Sequence, residues 1–197
     1  MGKLILIFGP SGSGKGILVA HVRATFPQLI FPTSWTTRPP RPGEESGESQ
    51  SGKKYRFVSK NEFTKHAAEE GFLEWAEYSG HYYGTPKDEV EEAIQRGHTV
   101  LQELEIQGIR QLREHFSGSL VTIFIDAGSW DELKRRILLR APMTPEELEA
   151  RRRRYEQEIA FKHEANYVVE NREGRLEEAK RALVDTIQSI LKDNLSS

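Results

Sequence analysis

Seven residues near the start of the chain have the types and the spacing to hold a row of phosphates. Gly9-Pro10-Ser11-Gly12-Ser13-Gly14-Lys15 fits the pattern G-x-x-x-x-G-K. Glycines let the main chain curl until successive N–H groups point inward at phosphate oxygens. A helix opening directly behind the turn adds the positive end of its dipole, and the lysine reaches the β- and γ-phosphates. The bland alternative is a tight strand-to-helix turn, but the flanks on both sides favour binding of a nucleoside triphosphate. One departure bears on the metal. The Ser or Thr that usually follows the lysine and ligates Mg²⁺ is Gly16, with Ile17 next. Magnesium would then be held by triphosphate oxygens, water and a more distant carboxylate.

The elements around the loop fit that role. Lys3 to Phe8 is a continuous apolar run, as expected of a strand buried on both faces of a parallel sheet. Behind the turn, Leu18, Val19, Val22 and Phe26 fall at helical spacing, and Pro27 stops the helix. Thr99 to Leu104, Leu120 to Ile125 and the shorter Tyr167 to Val169 are further strand candidates. Helical patterns separate them at Pro86 to Arg96, Gly108 to Phe116, Ser129 to Leu139 and Pro145 to Lys162. The final helix, Arg175 to Leu195, gathers Leu176, Ala179, Leu183, Ile187, Ile190 and Leu191 on one face. Strands alternating with helices predict an α/β domain with a mainly parallel sheet.

Two segments break the alternation. Thr36 to Lys54 is rich in Pro, Gly, Ser and charge without apolar periodicity, which predicts a long loop of the functional or mobile kind. From Tyr55 to Tyr83 the chain is dense in aromatics with short alternating stretches, which predicts a small β-containing insertion. The other break is Arg135 to Arg154, where arginines cluster around Ala141-Pro142.

Composition narrows the field. The 197 residues carry a net charge of −2 and are 37% hydrophobic, suited to one domain with a sizeable core. The charge balance advertises neither a nucleic-acid nor a membrane partner, so anion binding must come from local clusters. With no cysteine there is no disulfide framework and no Cys-based metal site. No stretch approaches the ~18 apolar residues of a membrane span, and the N-terminal apolar run is too short for a signal peptide. The expected location is cytoplasmic.

Beyond the loop, five phrases carry a resemblance. They are Ser34-Trp35-Thr36-Thr37-Arg38-Pro39-Pro40-Arg41-Pro42-Gly43-Glu44, then Tyr55-Arg56-Phe57-Val58, then Glu74-Trp75-Ala76-Glu77-Tyr78-Ser79-Gly80, then Tyr82-Tyr83-Gly84-Thr85, and Ile106-Gln107-Gly108. In this order, behind a phosphate loop, the sequence resembles the guanylate kinase family from about Leu4 to Leu183. The resemblance implies a P-loop three-layer α/β fold with a small β-containing insertion that binds the nucleoside monophosphate (NMP) and a helical lid. It divides a single domain into a core (1–33, 86–126 and 166–197), an NMP-binding region (34–85) and a lid (127–165). The implied reaction moves the γ-phosphate of ATP, with Mg²⁺, onto GMP or dGMP.

Guanine offers donors at N1 and N2 and an acceptor at O6, so a carboxylate answers the first two and a hydroxyl the third. The resemblance assigns the carboxylate to Glu74 and the hydroxyls to Ser34 and Thr85. It assigns Arg38, Arg41, Tyr55 and Tyr83 to the acceptor phosphate, which the planar fork of arginine suits better than a lysine. On the donor side it adds Asn171 as an adenine contact, though a lone Asn before a turn is more often a cap. Among the basic residues, Arg136, Arg140 and Arg151 match lid positions that close on the transferring phosphoryl group. The other four, Arg135, Arg152, Arg153 and Arg154, are read as a solvated helix face paired with Glu146, Glu147 and Glu149. No histidine is assigned to chemistry.

Two departures stand out. Where the family has Asp-x-Asp, this chain has Glu103-Leu104-Glu105, with Glu103 expected near magnesium through water and Glu105 near guanine. The loop Glu45 to Lys54 is about five residues longer than usual. The alternatives are a kinase for another small phosphorylated acceptor, or a non-catalytic protein-binding module of the same fold. Such a module would be expected to lose the loop lysine or the lid arginines, and Lys15, Arg140 and Arg151 are all present. The expected partners are ATP and GMP, the expected state monomer or homodimer.

Overall fold

A computed structural model describes residues 2–45, 47, 52, 54–78, 80–104, 106–140 and 142–195, with the main chain alone at Arg140 and 193–195. β1 (Leu4–Phe8) has all five side chains buried, as a strand covered on both faces requires. It feeds the turn that opens α1 (Lys15–Thr25), which buries Leu18, Val19 and Val22. β2 (Ser34–Thr36), β3 (Tyr55–Phe57), α2 (Lys60–Ala68), β4 (Phe72–Tyr78) and β5 (His81–Pro86) follow. Then α3 (Lys87–Gln95), β6 (Val100–Glu103), α4 (Ile106–His115), β7 (Leu120–Asp126), α5 (Trp130–Arg140), α6 (Pro145–Phe161), β8 (Tyr167–Glu170) and α7 (Leu176–Leu195) alternate as the apolar pattern predicts.

Hydrogen bonding orders the strands into two sheets, β6-β1-β7-β8 and β3-β2-β5-β4. β7 and β8 run parallel, from Ile123 opposite Tyr167 to Asp126 opposite Glu170. In the second sheet β2 is parallel to β3 but antiparallel to β5, and β5 is antiparallel to β4. There Glu74 lies directly across from Thr85, so the carboxylate and the hydroxyl share one face at close range.

The chain divides into two compact units. One comprises Met1–Ile5, Phe26–Gln102 and Gln107–Leu120; the other comprises Leu6–Thr25, Glu103–Ile106 and Val121–Ser197. In the first, an aromatic cluster ties α2 to the small sheet. Phe63 stacks on Phe72 at 4.5 Å and meets Tyr82 at 5.4 Å, and Trp35 stacks on His66 at 4.3 Å. In the second, Phe8 makes edge contacts with Phe124 and Phe161 at 5.2 and 5.7 Å. There α7 lies against α1 and buries Ala179, Leu183, Ile187 and Ile190.

The small insertion contains a helix that the apolar pattern does not reveal. In α2 only Phe63 is buried, so no stripe repeats. The helix is specified at its end instead: Ser59 accepts from the Glu62 N–H at 3.1 Å, an N-cap. At α6, Thr144 and Glu147 form a reciprocal capping box behind Pro145. That role employs Glu147 in place of the arginine pairing expected of it. Among the described residues, no helix is long and apolar enough to cross a membrane.

Candidate active site

The donor half lies in the unit that holds α1 and α7. Gly9 and Gly14 have φ of 140° and 86°, a region that favours glycine. A Cβ on Gly9 would come within 2.6 Å of the Ile125 carbonyl oxygen, and one on Gly14 would collide with the Asn171 amide. Both glycines are therefore dictated by what packs against the loop. The Ser13 N–H donates to the Pro10 carbonyl at 3.0 Å, and Ile17 and Leu18 N–H groups return to the Gly14 carbonyl to start α1. The Lys15 ammonium reaches over the loop and donates to the carbonyls of Gly9 and, at 3.1 Å, Pro10.

Three residues far apart in sequence converge on this loop. Asn171, 4% exposed, donates its amide to the Ser13 carbonyl at 2.7 Å, while its own N–H donates to the Asp126 carbonyl at 2.8 Å. It braces the phosphate loop against the end of β7, which is more than capping a turn. Arg136 donates to the Asn171 carbonyl at 2.7 Å, and Arg151 donates to the Ser11 hydroxyl at 2.8 Å. Arg140 closes α5, its side chain outside the described residues. Two of the remaining arginines find other partners than those expected: Arg135 pairs with Glu173 at 3.0 Å and Arg152 with Glu156 at 3.1 Å.

Beneath the arginines is an ionic cluster that the sequence reading missed. The Asp126 carboxylate accepts from the Gly128 N–H at 2.8 Å and from Lys162 at 2.7 Å, and Arg172 stands between Asp126, Glu132 and Glu170. Burial alone would raise the Asp126 pKa, but Lys162, the Gly128 N–H and Arg172 together hold it below the ordinary carboxylate value. Burial works against the Arg172 charge, and its three carboxylates outweigh it, raising that pKa.

The acceptor half lies in the other unit. Thr85 donates to Glu74 at 2.6 Å, and the Gln102 amide nitrogen donates to the hydroxyls of Ser34 and Thr85 at 3.1 and 3.2 Å. Four side chains from four strands thus form one chain of hydrogen bonds. Gly108, in the first turn of α4, lets that helix approach: a Cβ there would sit 3.1 Å from Glu74 Oε2. Gln102 escaped the sequence reading because it lies within an apolar strand pattern. A polar amide in a strand buried on both faces was the available signal.

A second cluster surrounds Arg38. Its guanidinium pairs with Glu44 at 2.9 Å and lies over the rings of Tyr55 and Phe57 at 5.6 and 5.5 Å. Desolvation opposes the Arg38 charge, yet Glu44 and Tyr83 outweigh it and raise its pKa. Tyr83 meets Tyr55 ring to edge at 6.5 Å. Glu44, 5% exposed, also accepts from the Arg41 N–H at 2.9 Å. That main-chain bond leads the causes that lower the Glu44 pKa, ahead of the opposing desolvation and the Arg38 contacts. Arg38, Tyr55 and Tyr83 are therefore brought together, while the Arg41 side chain is exposed. Glu44, hidden in a Pro/Gly-rich stretch, was not anticipated as their organiser.

For the metal, Gly16 offers no side-chain oxygen and Glu105 lies outside the described residues. Glu103 ends β6, half-buried, in the unit that carries the phosphate loop, and the next residue donates its N–H to the Ile7 carbonyl at 3.2 Å. No group of three His, Cys, Asp or Glu that could hold a metal occurs among the described residues. A single carboxylate near a phosphate loop fits Mg²⁺, which keeps several waters and takes one or two carboxylates plus phosphate oxygens.

Comparison with known proteins agrees across nearly the whole chain. The family profile described as Guanylate kinase matches residues 1–190. The guanylate kinase of Desulfitobacterium hafniense is 41% identical over 190 residues, covering 96% of this chain and 89% of its own. That of Synechococcus sp. is 39% identical over 182 residues, 92% and 80% respectively. The crystal structure of guanylate kinase from Anaplasma phagocytophilum superposes with a TM-score of 0.70 at 26% identity, covering 95% of this chain and 85% of that one.

Proposed function

The chain belongs to the guanylate kinase family and transfers the γ-phosphate of ATP to GMP, giving ADP and GDP; we propose how its own residues divide that work. The loop Gly9 to Gly16 and the Lys15 ammonium hold the donor phosphates. Asn171, with Arg136 on its carbonyl, lies toward the nucleoside side of the ATP site, and Arg136 itself serves the phosphoryl group. Glu74 reads the N1 and N2 donors of guanine, assisted by Glu105. Ser34 supplies the hydroxyl for O6, Thr85 gives its own proton to Glu74 and so orients that carboxylate, and Arg38, Arg41, Tyr55 and Tyr83 hold the GMP phosphate. Residues 34–85 form the NMP-binding region and 127–165 the lid, around a core of 1–33, 86–126 and 166–197.

Catalysis is positioning and electrostatics. A GMP phosphate oxygen attacks the γ-phosphorus in line, its bond to the ADP leaving oxygen breaks, and no side chain forms a covalent intermediate. Charge spreads over the equatorial oxygens, where Lys15, Arg136, Arg140 and Arg151 stabilise it. Glu103 would help hold Mg²⁺ through water, and the ion would supply neutralisation of charge on the donor phosphates. Both substrates belong to the nucleotide pool of the cell interior, where we place the enzyme.

The observation that carries the acceptor assignment is the 2.6 Å bond from Thr85 to Glu74, which fixes a carboxylate beside a hydroxyl as guanine demands. Adenine lacks the N1 proton and the N2 amine, so it would leave that carboxylate facing a lone pair. Sites built on such bonds reject the wrong base by up to ~10⁴-fold. The test is kcat/KM for GMP, dGMP, AMP, UMP and CMP in wild type and Glu74→Gln. We expect GMP and dGMP to dominate in wild type and Glu74→Gln to lose about 10²-fold on GMP. Comparable use of AMP by wild type, or indifference of the variant, overturns Glu74 as the base reader.

A further inference from the structure

Gln102 sits in β6 between Leu101 and Glu103, and it is 5% exposed. A primary amide is tolerated in such a place only when its hydrogen bonds are made. Its nitrogen donates to Ser34 Oγ at 3.1 Å and Thr85 Oγ1 at 3.2 Å, both on residues less than 5% exposed. Thr85 Oγ1 in turn donates to Glu74 Oε1 at 2.6 Å.

Proton counting fixes the direction of every bond in this chain. A hydroxyl carries one proton. Thr85 gives its proton to the Glu74 carboxylate, which has only lone pairs to offer. Thr85 can therefore only accept from Gln102, and the amide group facing it must be NH₂ and not C=O. The same NH₂ donates to Ser34. With a lone pair of Ser34 Oγ occupied by an amide proton, the Ser34 hydroxyl keeps its own proton to give.

We propose that Gln102 is a positioning residue that sets the polarity of the guanine-reading wall: by filling one of the two lone pairs of Ser34 Oγ it orients the hydroxyl so that its proton faces the base, favouring a 6-oxo purine over a 6-amino one. The proposal rests on the reading of Ser34, Glu74 and Thr85 as base contacts. Without Gln102, the Ser34 hydroxyl is free to rotate and to present a lone pair or a proton with little preference. Its ability to distinguish O6 from a weaker acceptor is then lost, although nothing that touches the nucleotide has been removed.

The probe is 6-thioguanosine monophosphate, which keeps the N1 and N2 donors read by Glu74 and replaces O6 with sulfur, a weak acceptor. The readout is the ratio of kcat/KM for GMP to that for the thio analogue, with KM for ATP and the melting temperature as controls. Wild type and Ser34→Ala are measured beside Gln102→Met, which keeps the length of the side chain without its donors, and the double variant. We expect a wild-type ratio of about tenfold, the worth of one buried hydrogen bond, falling to within about twofold in all three variants. The double variant should fall no further than either single one, because the two residues act through one bond. A merely structural glutamine would lower the melting temperature or add its loss to that of Ser34→Ala. If Ser34→Ala collapses the ratio and Gln102→Met leaves it at the wild-type value, the inference is overturned. If Ser34→Ala leaves the ratio unchanged, the base contact itself fails, and the inference with it. Gln102→Asn, which withdraws the donor by one methylene, serves the same comparison should methionine prevent folding.

Discussion

The two candidate clusters, one in each unit, are built from different materials. The phosphate loop is continuous in sequence and works through its main chain, with glycines where Ile125 and Asn171 crowd it. The wall proposed to read the base is discontinuous and is made of side chains, one each from β2, β4, β5 and β6. Phosphates are the same in every nucleotide, so a backbone cradle suffices for them. A base is told apart by the placement of single donors and acceptors, which requires side chains held in register by a sheet.

Lys15→Met is the change with the largest expected effect, because it removes the one side-chain charge of the motif. We expect kcat to fall by about 10³-fold, the upper range for a group aimed at developing charge. Because Lys15 serves the donor phosphates, KM for GMP should stay within about twofold. Steady-state kinetics with GMP varied at saturating ATP checks both numbers. A comparable rise in KM for GMP would erase the division between the halves.

The same contrast explains what the sequence disclosed. The loop, its strand and its helix were readable because motif and apolar run are local. The parallel α/β plan was readable because β1, β7 and α7 repeat apolar residues at the spacing of their geometry. The polar placements were readable only through resemblance. Gln102 looks like one residue of a strand until Ser34 and Thr85 are seen across it, and Glu44 until Arg38 is. The helix α2 was hidden because its single buried residue, Phe63, makes no period. Asn171 is placed at the donor site by resemblance alone and looks locally like a cap, since nothing local says that its amide ends on Ser13, 158 positions away.

Two neighbouring arginines sharpen the comparison at smaller scale. Arg151 donates to Ser11 in the phosphate loop, whereas Arg152 pairs with Glu156 one helical turn on. Arg151→Ala should cost on the order of 10²-fold in kcat. Arg152→Ala should change kcat by less than about twofold and stability by less than about 0.5 kcal/mol, as exposed i,i+4 pairs do. Equal and mild losses at both positions would return Arg151 to the solvated face of α6.

A change in stability alone, with no catalytic effect, separates two clusters that brace the two units. The cluster around Phe63 in one unit is made of uncharged rings, whereas the end of β7 in the other is tied by an ion cluster. Asp126→Asn keeps an oxygen for the Gly128 N–H but removes the charge that Lys162 and Arg172 face. We expect a loss of about 1–2 kcal/mol at neutral pH, below the full worth of a charged hydrogen bond because Lys162 is 31% exposed. The pH dependence follows from the direction of the shift. The folded-state pKa of Asp126 is depressed, so its stabilisation is fully present above the unfolded value of about 3.9 and is lost as pH falls through the folded value. The gap in urea midpoint between wild type and Asp126→Asn should thus be constant from about pH 8 to 5 and shrink below about pH 4. Phe63→Leu should lower the midpoint by a similar amount with no such pH dependence, since it removes packing and no charge. A gap for Asp126→Asn that persists unchanged at pH 3 would mean that the carboxylate contributes shape and not charge, and that the two units are braced alike.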